Sequence, residues 1–312
     1  MDVAYFVARR KAKGYSQAAL AAGICTQSTL SKFETNYQIP SLPILRQLCA
    51  RLDLTLDDLD DRQRQSKAAA QQLTQAEEAL MVEDYPAVQK SLAHLTVEQL
   101  PTVALQMQYH YLNGLWLTLT NGNPTAALFS FTQILDQLDE AHTTQFTTLA
   151  YLGEGILYAR QNELAQAEFF LTKVKHALST ALTTVVAPGL AQARLLTMMY
   201  YLAEDYYLRD DFTQSQHYVS LGLAWCRREH VTYFLPRLKF LRAQNLLALG
   251  AAPQQVVAEL VDARAFARLN DNQALILQTT ALINHYQAML QPFKQTEGGK
   301  DGTYQSPFRT RS

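Results

Sequence analysis

The sequence predicts an all-α protein: a head of five short helices, then a long stack of helix pairs. Three observations carry that prediction. Turn formers are scarce, with 12 glycines and 10 prolines in 312 residues, which disfavours a fold of many short strands. Apolar residues recur at helical rather than alternating spacing along most of the chain. A weak internal repeat runs from Ala76 to Gly250, its copies 38 to 48 residues apart, the mark of stacked helical units.

Composition sets the frame for these elements. Hydrophobic residues make up 48% and charged residues 18%, so a packed core is expected, and the length suggests two domains. The net charge of −1 hides an asymmetry. Residues 1–52 carry seven basic side chains against Asp2 and Glu34, a charge of +5, residues 53–67 carry −2, and the remainder carries −4. A basic head on a mildly acidic body is the pattern expected when only the head meets phosphate.

In the head, Val3, Phe6 and Val7 form the buried side of a first helix over residues 2–13, and Gly14 ends it. Ser16 is placed to cap a second helix with Ala19 and Leu20 on its apolar side. Gly23 breaks that helix, and Thr26 is placed to cap a third in which Leu30 and Phe33 face inward. Residues 36–43 read as a loop with two prolines, and Ser41 as the cap of a fourth helix with the stripe Ile44, Leu45, Leu48, Cys49 and Leu52. Thr55 is expected to cap a short fifth helix, Leu56–Asp60. Residues 61–67, DRQRQSK, read as linker or as the start of the next helix.

Two short helices joined by a tight turn, SQAALAAGICTQSTLSKFE over Ser16–Glu34, form a helix-turn-helix. In that motif the second helix reads base edges with its first turns, and the first is anchored to phosphate by its N-terminus. Gln17 is placed to donate to a phosphate. Thr26, Gln27, Ser28 and Thr29 open the recognition helix, and Lys32 follows on the same face as Gln27 and Ser28. Gln pairs with adenine, Ser is permissive, and Lys suits guanine or phosphate. Glu34 is expected to fix the fold through an internal ion pair or hydrogen bond.

From residue 68 onward each repeat copy holds a small residue, an aromatic or Leu three positions later, a turn with Gly, Asn or Asp, and a second small residue. The clearest copy is Gly155, Tyr158, Asn162-Glu163 and Ala167. The next are Ala203, Tyr206, Asp210-Asp211 and Ser215, then Gly114, Leu117, Gly122-Asn123 and Ala126. Weaker copies centre on Ala76 and Ala243. The period exceeds the roughly 34 residues of a strict tetratricopeptide repeat. The expectation is therefore about five to six tetratricopeptide-like helix pairs stacked as a right-handed α-solenoid with a concave inner face. One further helix is expected over 273–290, and residues 293–312 read as a disordered tail.

Ser16-Gln17, Leu20-Ala21, Leu30-Ser31-Lys32-Phe33-Glu34 and Pro40 together closely resemble the XRE-type (Cro-like) helix-turn-helix family over residues 1–62. Between Ala21 and Thr26 this chain is one residue shorter than the common pattern. The short turn, joined to degenerate tetratricopeptide-like repeats over 63–292, resembles the Rgg/PlcR branch of the RRNPP group, the peptide-pheromone-sensing transcription regulators of Gram-positive bacteria. That resemblance implies three partners: double-stranded DNA at a palindromic or repeated site, a second copy of the chain held partly through the repeats, and a short signalling peptide in the concave groove.

If the repeats stack as in that family, the first helix of each pair lines the groove. Its inward positions then include Gln108, Tyr111 and Leu115; Leu152, Ile156 and Ala159; Tyr200, Glu204 and Tyr207; and Arg237, Phe240 and Gln244, with Asn284 on the last helix. Asn and Gln suit the backbone of an extended peptide, aromatics supply apolar pockets, and Arg237 is placed to take a terminal carboxylate.

Enzyme readings find no footing: there is no GxxxxGK[ST], HExxH, GxSxG or CxxC. The seven histidines form no i,i+4 pair, and Cys25, Cys49 and Cys226 make no zinc or disulfide pattern, so no metal or cofactor is expected and a reducing cytoplasm is the expected setting. No secretory leader and no membrane span are expected. The alternative reading keeps the DNA-binding head but makes the repeat domain a protein-interaction scaffold with no peptide ligand.

Overall fold

The computed structural model describes residues 1–59, 61–184, 186–187 and 189–290. They form two compact units: Met1–Leu73 with Ala93–Gln106, and Thr74–Leu92 with the chain from Met107 onward. The reading of 293–312 as disordered lies outside the described residues. Among the described residues no helix is long and apolar enough to cross a membrane.

The first unit opens with four helices: α1 (Val3–Ala12), α2 (Gln17–Ala21), α3 (Gln27–Asn36) and α4 (Leu42–Arg51). Asp2 caps α1 by accepting from the Tyr5 N–H at 2.8 Å. Gly14 follows the end of α1 at φ +74°, and Gly23 turns the chain after α2 at φ +75°; both are left-handed positions that favour glycine. One core holds the unit together, built from Val3, Phe6, Leu20, Leu30, Phe33, Leu45, Leu48 and Leu52. Phe6 meets Phe33 edge-to-face at 5.1 Å, a geometry worth about 0.5–1.5 kcal/mol beyond the burial itself.

Two details of the head differ from expectation. Ser41 stands at the N-cap of α4 but makes no side-chain cap bond, and a proline in the first turn shapes that entry instead. The expected fifth helix is a single 3₁₀ turn, Asp57–Leu59. Thr55 and Asp58 close it reciprocally: the Thr55 N–H donates to Asp58 Oδ2 at 2.8 Å and the Asp58 N–H to Thr55 Oγ1 at 3.3 Å. The stretch from Asp61 opens a long helix rather than a linker, α5 (Asp61–Met81).

The second unit is a run of helix hairpins. The last turns of α5 pair with α6 (Tyr85–Leu92). They are followed by α7 (Val103–Leu119) with α8 (Pro124–Gln133), α9 (Gln145–Arg160) with α10 (Leu164–Ala181), α11 (Leu190–Leu208) with α12 (Phe212–Glu229), and α13 (Leu235–Ala248) with α14 (Pro253–Leu269). A final helix, α15 (Gln273–Leu290), packs on α14.

Each hairpin turns in the same way. A left-handed residue follows the first helix: Glu83, Asn121, Asn162, Asp210 and Gly250, at φ +65°, +54°, +63°, +59° and +75°. The next N–H reaches back five residues, from Asp84, Gly122, Glu163, Asp211 and Ala251 to the carbonyls of Ala79, Leu117, Tyr158, Tyr206 and Leu246, at 2.8–3.0 Å. This is the Schellman closure, which satisfies carbonyls left over at a helix end. The weak sequence repeat is the trace of this closure, because its third-position residue supplies the accepting carbonyl.

The small residues of the repeat let neighbouring helices approach closely. A Cβ on Gly155 would stand 2.6 Å from Leu171, and one on Gly114 or Gly153 would stand 2.6 or 2.1 Å from the Phe131 ring. Helices α7 and α9 therefore both close onto Phe131 of α8. The aromatics beside the small residues stack on the second helix of their pair, Tyr158 on Phe170 at 5.6 Å and Tyr206 on Tyr218 at 5.7 Å.

Candidate DNA-binding helix and candidate ligand face

At the head, both helices of the motif are capped as their sequences require. Ser16 Oγ accepts from the Ala19 N–H, and Thr26 Oγ1 from the Thr29 N–H, each at 3.1 Å. Arg51 of α4 donates to the carbonyls of Leu20 and Ala22 at 2.9 and 2.6 Å, satisfying the end of α2. Of the candidate DNA-reading residues, Thr26, Gln27, Ser28 and Lys32 are exposed, while Gln17 and Thr29 are half-buried. Thr29 Oγ1 lies 2.8 Å from Thr26 Oγ1.

A chain of hydrogen bonds joins this face to the core. Arg10 of α1 grips Glu34 of α3 with two N–H groups at 2.7 and 2.8 Å. Gln17 donates to the same carboxylate at 2.8 Å and accepts from the Gln27 side-chain amide at 2.9 Å. Glu34 thus acts inside the fold, and the orientation of Gln27 is set by Gln17. The Gln17–Gln27 link was not anticipated. Its signal lies in the pattern, since each glutamine is the first residue of its helix. Lys32 stands one turn after Ser28 on the exposed side.

In the repeat unit, the candidate groove residues Gln108, Tyr111, Tyr200, Glu204 and Arg237 fall into two clusters. Gln108 is buried and donates to Glu77 at 2.8 Å; Arg194 grips the same Glu77 at 2.6 and 2.8 Å. The Arg194 guanidinium lies 4.5 Å over the Phe146 ring, and Tyr111 is a fully buried core residue tilted against the same ring at 6.3 Å. In the second cluster, Arg237 grips Glu83 at 2.6 and 2.7 Å. Asn272 donates to Glu83 at 2.6 Å. Tyr200 is buried, stacks on Phe234 at 5.1 Å and donates to Glu204 at 2.9 Å. Burial opposes the charge of Arg237, but Tyr200 and Glu83 more than offset it and raise its pKa.

Three further candidates lie elsewhere. Tyr207 packs on Phe212 at 5.6 Å, Gln244 is half-buried, and Asn284 is exposed on α15. Glu77, Glu83, Arg194 and Asn272 are the residues that reading from sequence overlooked. A cavity of about 400 Å³ also lies among α9, α10 and α11, bounded by His142, Thr144, Thr148, Val186, Leu195 and Met198. None of the candidate groove residues lines it.

Three further titratable groups, Cys49, Cys226 and Glu154, are shifted chiefly by burial. Burial pushes the Cys49 thiol up to about 11 and the Cys226 thiol up to about 12, which suits inert core thiols. Burial likewise lifts Glu154 of α9 to about 7, partly offset by Lys173.

Residues 8–59 match the helix-turn-helix family model. No curated protein matches the chain. Among solved structures, that of Bacillus thuringiensis PlcR in complex with the peptide PapR7 and DNA is similar over 90% of this chain and 98% of that one, at 17% identity and a TM-score of 0.51. ComR from S. thermophilus, in complex with DNA and its signalling peptide, aligns over 90% of this chain and 98% of its own, at 14% identity and a TM-score of 0.49. ComR from Streptococcus vestibularis, with its cognate signalling peptide XIP, aligns over 91% and 98%, at 14% identity and a TM-score of 0.45. The likeness to PlcR is one of fold. The chain is all-α, with a helix-turn-helix head followed by paired helices of the tetratricopeptide-like kind.

Proposed function

We propose that this chain is a cytoplasmic, sequence-specific DNA-binding transcriptional regulator controlled by a short signalling peptide bound in its repeat unit. The observation that carries the reading is the capped recognition helix α3. It presents Gln27, Ser28 and Lys32 to solvent, with Gln27 held in place by Gln17. PlcR, whose fold this chain resembles, has been solved with both a peptide and DNA, and that supports assigning the two ligands to the two units. In this reading Gln27 and Ser28 meet base edges, Gln17 meets phosphate, Lys32 meets guanine or phosphate, and two copies of the chain bind a palindromic or repeated site.

The peptide acts by binding two conformations of the protein unequally, and it shifts their populations by that difference. Gel-shift titration of the DNA upstream of the chain's own gene, with and without synthetic short peptides, tests the proposal. A peptide-dependent change in the shifted fraction is expected, and no binding to that DNA under any condition counts against it.

A further inference from the structure

We propose that Arg237 and the side-chain amide of Asn272 form a binding site for the C-terminal carboxylate of a short peptide, and that Glu83 of the same chain fills it until the peptide arrives. The inference rests on the reading of the repeat unit as a peptide receptor.

Glu83 meets three N–H donors: Arg237 Nε at 2.6 Å, Arg237 Nη2 at 2.7 Å and Asn272 Nδ2 at 2.6 Å. Asn272 is itself fixed, because its Oδ1 caps α15 by accepting from the Leu275 N–H at 3.0 Å. A planar guanidinium fork beside a fixed amide suits any carboxylate delivered to it. Nothing in the geometry requires that the carboxylate belong to Glu83.

The backbone gives an independent sign that Glu83 is there for its side chain. It occupies the left-handed position of its hairpin, at φ +65°. The four equivalent positions hold Asn121, Asn162, Asp210 and Gly250, residues that tolerate this conformation. Glutamate lacks the short polar side chain that makes Asn and Asp tolerant there, and glycine's freedom. The first hairpin thus departs from the pattern at the one turn residue that reaches Arg237 of α13 and the cap of α15.

The neighbouring pair shows what a purely structural contact looks like here. Glu77 is fully buried and held by both Arg194 and Gln108, whereas the side chains of Glu83 and Arg237 are 14% and 22% exposed. Solvent touches the Glu83 pair on both side chains. Exchange of one carboxylate for another leaves Arg237 paired, so it avoids the cost of stranding a buried charge. Exchange also frees the turn that ends α5, and residues of α5 up to Leu73 belong to the DNA-binding unit. Release of Glu83 is therefore the step by which peptide binding acts on that helix.

Calorimetric titration of the full-length chain with acetyl-Leu-Phe, as free acid and as amide, tests the site. Glu83→Asn suits the left-handed turn and keeps the hairpin folded, and Glu83→Gln preserves side-chain length; an unchanged Tm checks each variant. With Glu83 filling the site nine-tenths of the time or more, the free acid binds both variants about tenfold tighter than the parent or better. The amide binds all three alike, and adding Arg237→Gln abolishes the preference for the acid. Equal affinity of parent and variants for the acid, equal affinity for acid and amide, or no binding of the acid to Glu83→Asn overturns the proposal. A peptide response in operator binding that persists with no such affinity ratio sinks this inference alone. The ratio without any operator response sinks the receptor reading alone.

Discussion

Arg10 and Glu34 form a two-point ion pair between the first and third helices, with Nε 2.7 Å from Oε1 and Nη2 2.8 Å from Oε2, and their side chains are only 10% and 5% exposed. Gln17 adds a third bond to the same carboxylate and passes the constraint on to Gln27. The core of the head and the proposed DNA-reading face thus share one carboxylate.

Glu34→Ala strands the Arg10 charge in a nearly dry site, which costs about 3–5 kcal/mol. Both tryptophans, Trp116 and Trp225, lie outside the head. In urea, the variant is expected to show an early loss of circular dichroism while the tryptophan transition stays at the parent midpoint.

The proposed role of α3 in reading DNA predicts two different signatures. Gln27→Ala costs about 1–3 kcal/mol for the cognate site and less for scrambled DNA if the amide reads a base. Lys32→Ala, if it touches phosphate, weakens all sequences alike and lowers the salt slope by about one. Fluorescence anisotropy on both duplexes over a salt series separates the two.

Among the described glycines Gly153 is the most tightly enclosed, since a Cβ there would stand 2.1 Å from Phe131 Cζ. Gly153→Ala overpacks the site and costs about 1–3 kcal/mol. Combining it with Phe131→Leu, which removes the ring, recovers part of that loss. Urea denaturation followed by tryptophan fluorescence reads both effects.

The head was legible in sequence because its signals are local. Ser16, Thr26, Gly14 and Gly23 each act within a few residues, and a cap or a left-handed glycine needs no tertiary partner. The hairpin repeat was legible for the same reason, since each Schellman turn is closed within one helix end. The contacts of the candidate ligand face were not. From sequence Arg237 reads as a carboxylate binder, but its partner Glu83 lies 154 positions away, and no periodicity relates the two. Gln108 was expected to face a groove, yet it donates to Glu77, 31 residues earlier. Tyr111 shows the same limit, because aromatic spacing on a helix does not distinguish a groove wall from a core. The 3₁₀ turn at Asp57–Leu59 was missed because the Thr55–Asp58 box that closes a single turn has the same sequence mark as a helix start.

Glu154 gives the repeat unit a pH signature. Burial raises its pKa in the folded state from an ordinary 4.5 to about 7. The folded protein therefore holds this proton more tightly than the unfolded chain does. The resulting stability is fully present below pH 4.5 and is lost as pH rises through about 7. Glu154→Gln removes this contribution to the slope and raises Tm at pH 8 by about 2–4 °C for each kcal/mol of burial cost relieved. Thermal melts of parent and variant from pH 5 to 8 in steps of about one unit check it.

The proposed coupling of peptide binding to DNA binding is tested most directly by one titration. Labelled duplex from the region upstream of the chain's gene is bound to the full-length protein with and without a saturating synthetic peptide that has been shown to bind it. A coupling free energy of ordinary size changes the DNA dissociation constant by about 5–150-fold, in either direction. The same dissociation constant with and without the bound peptide would contradict the account.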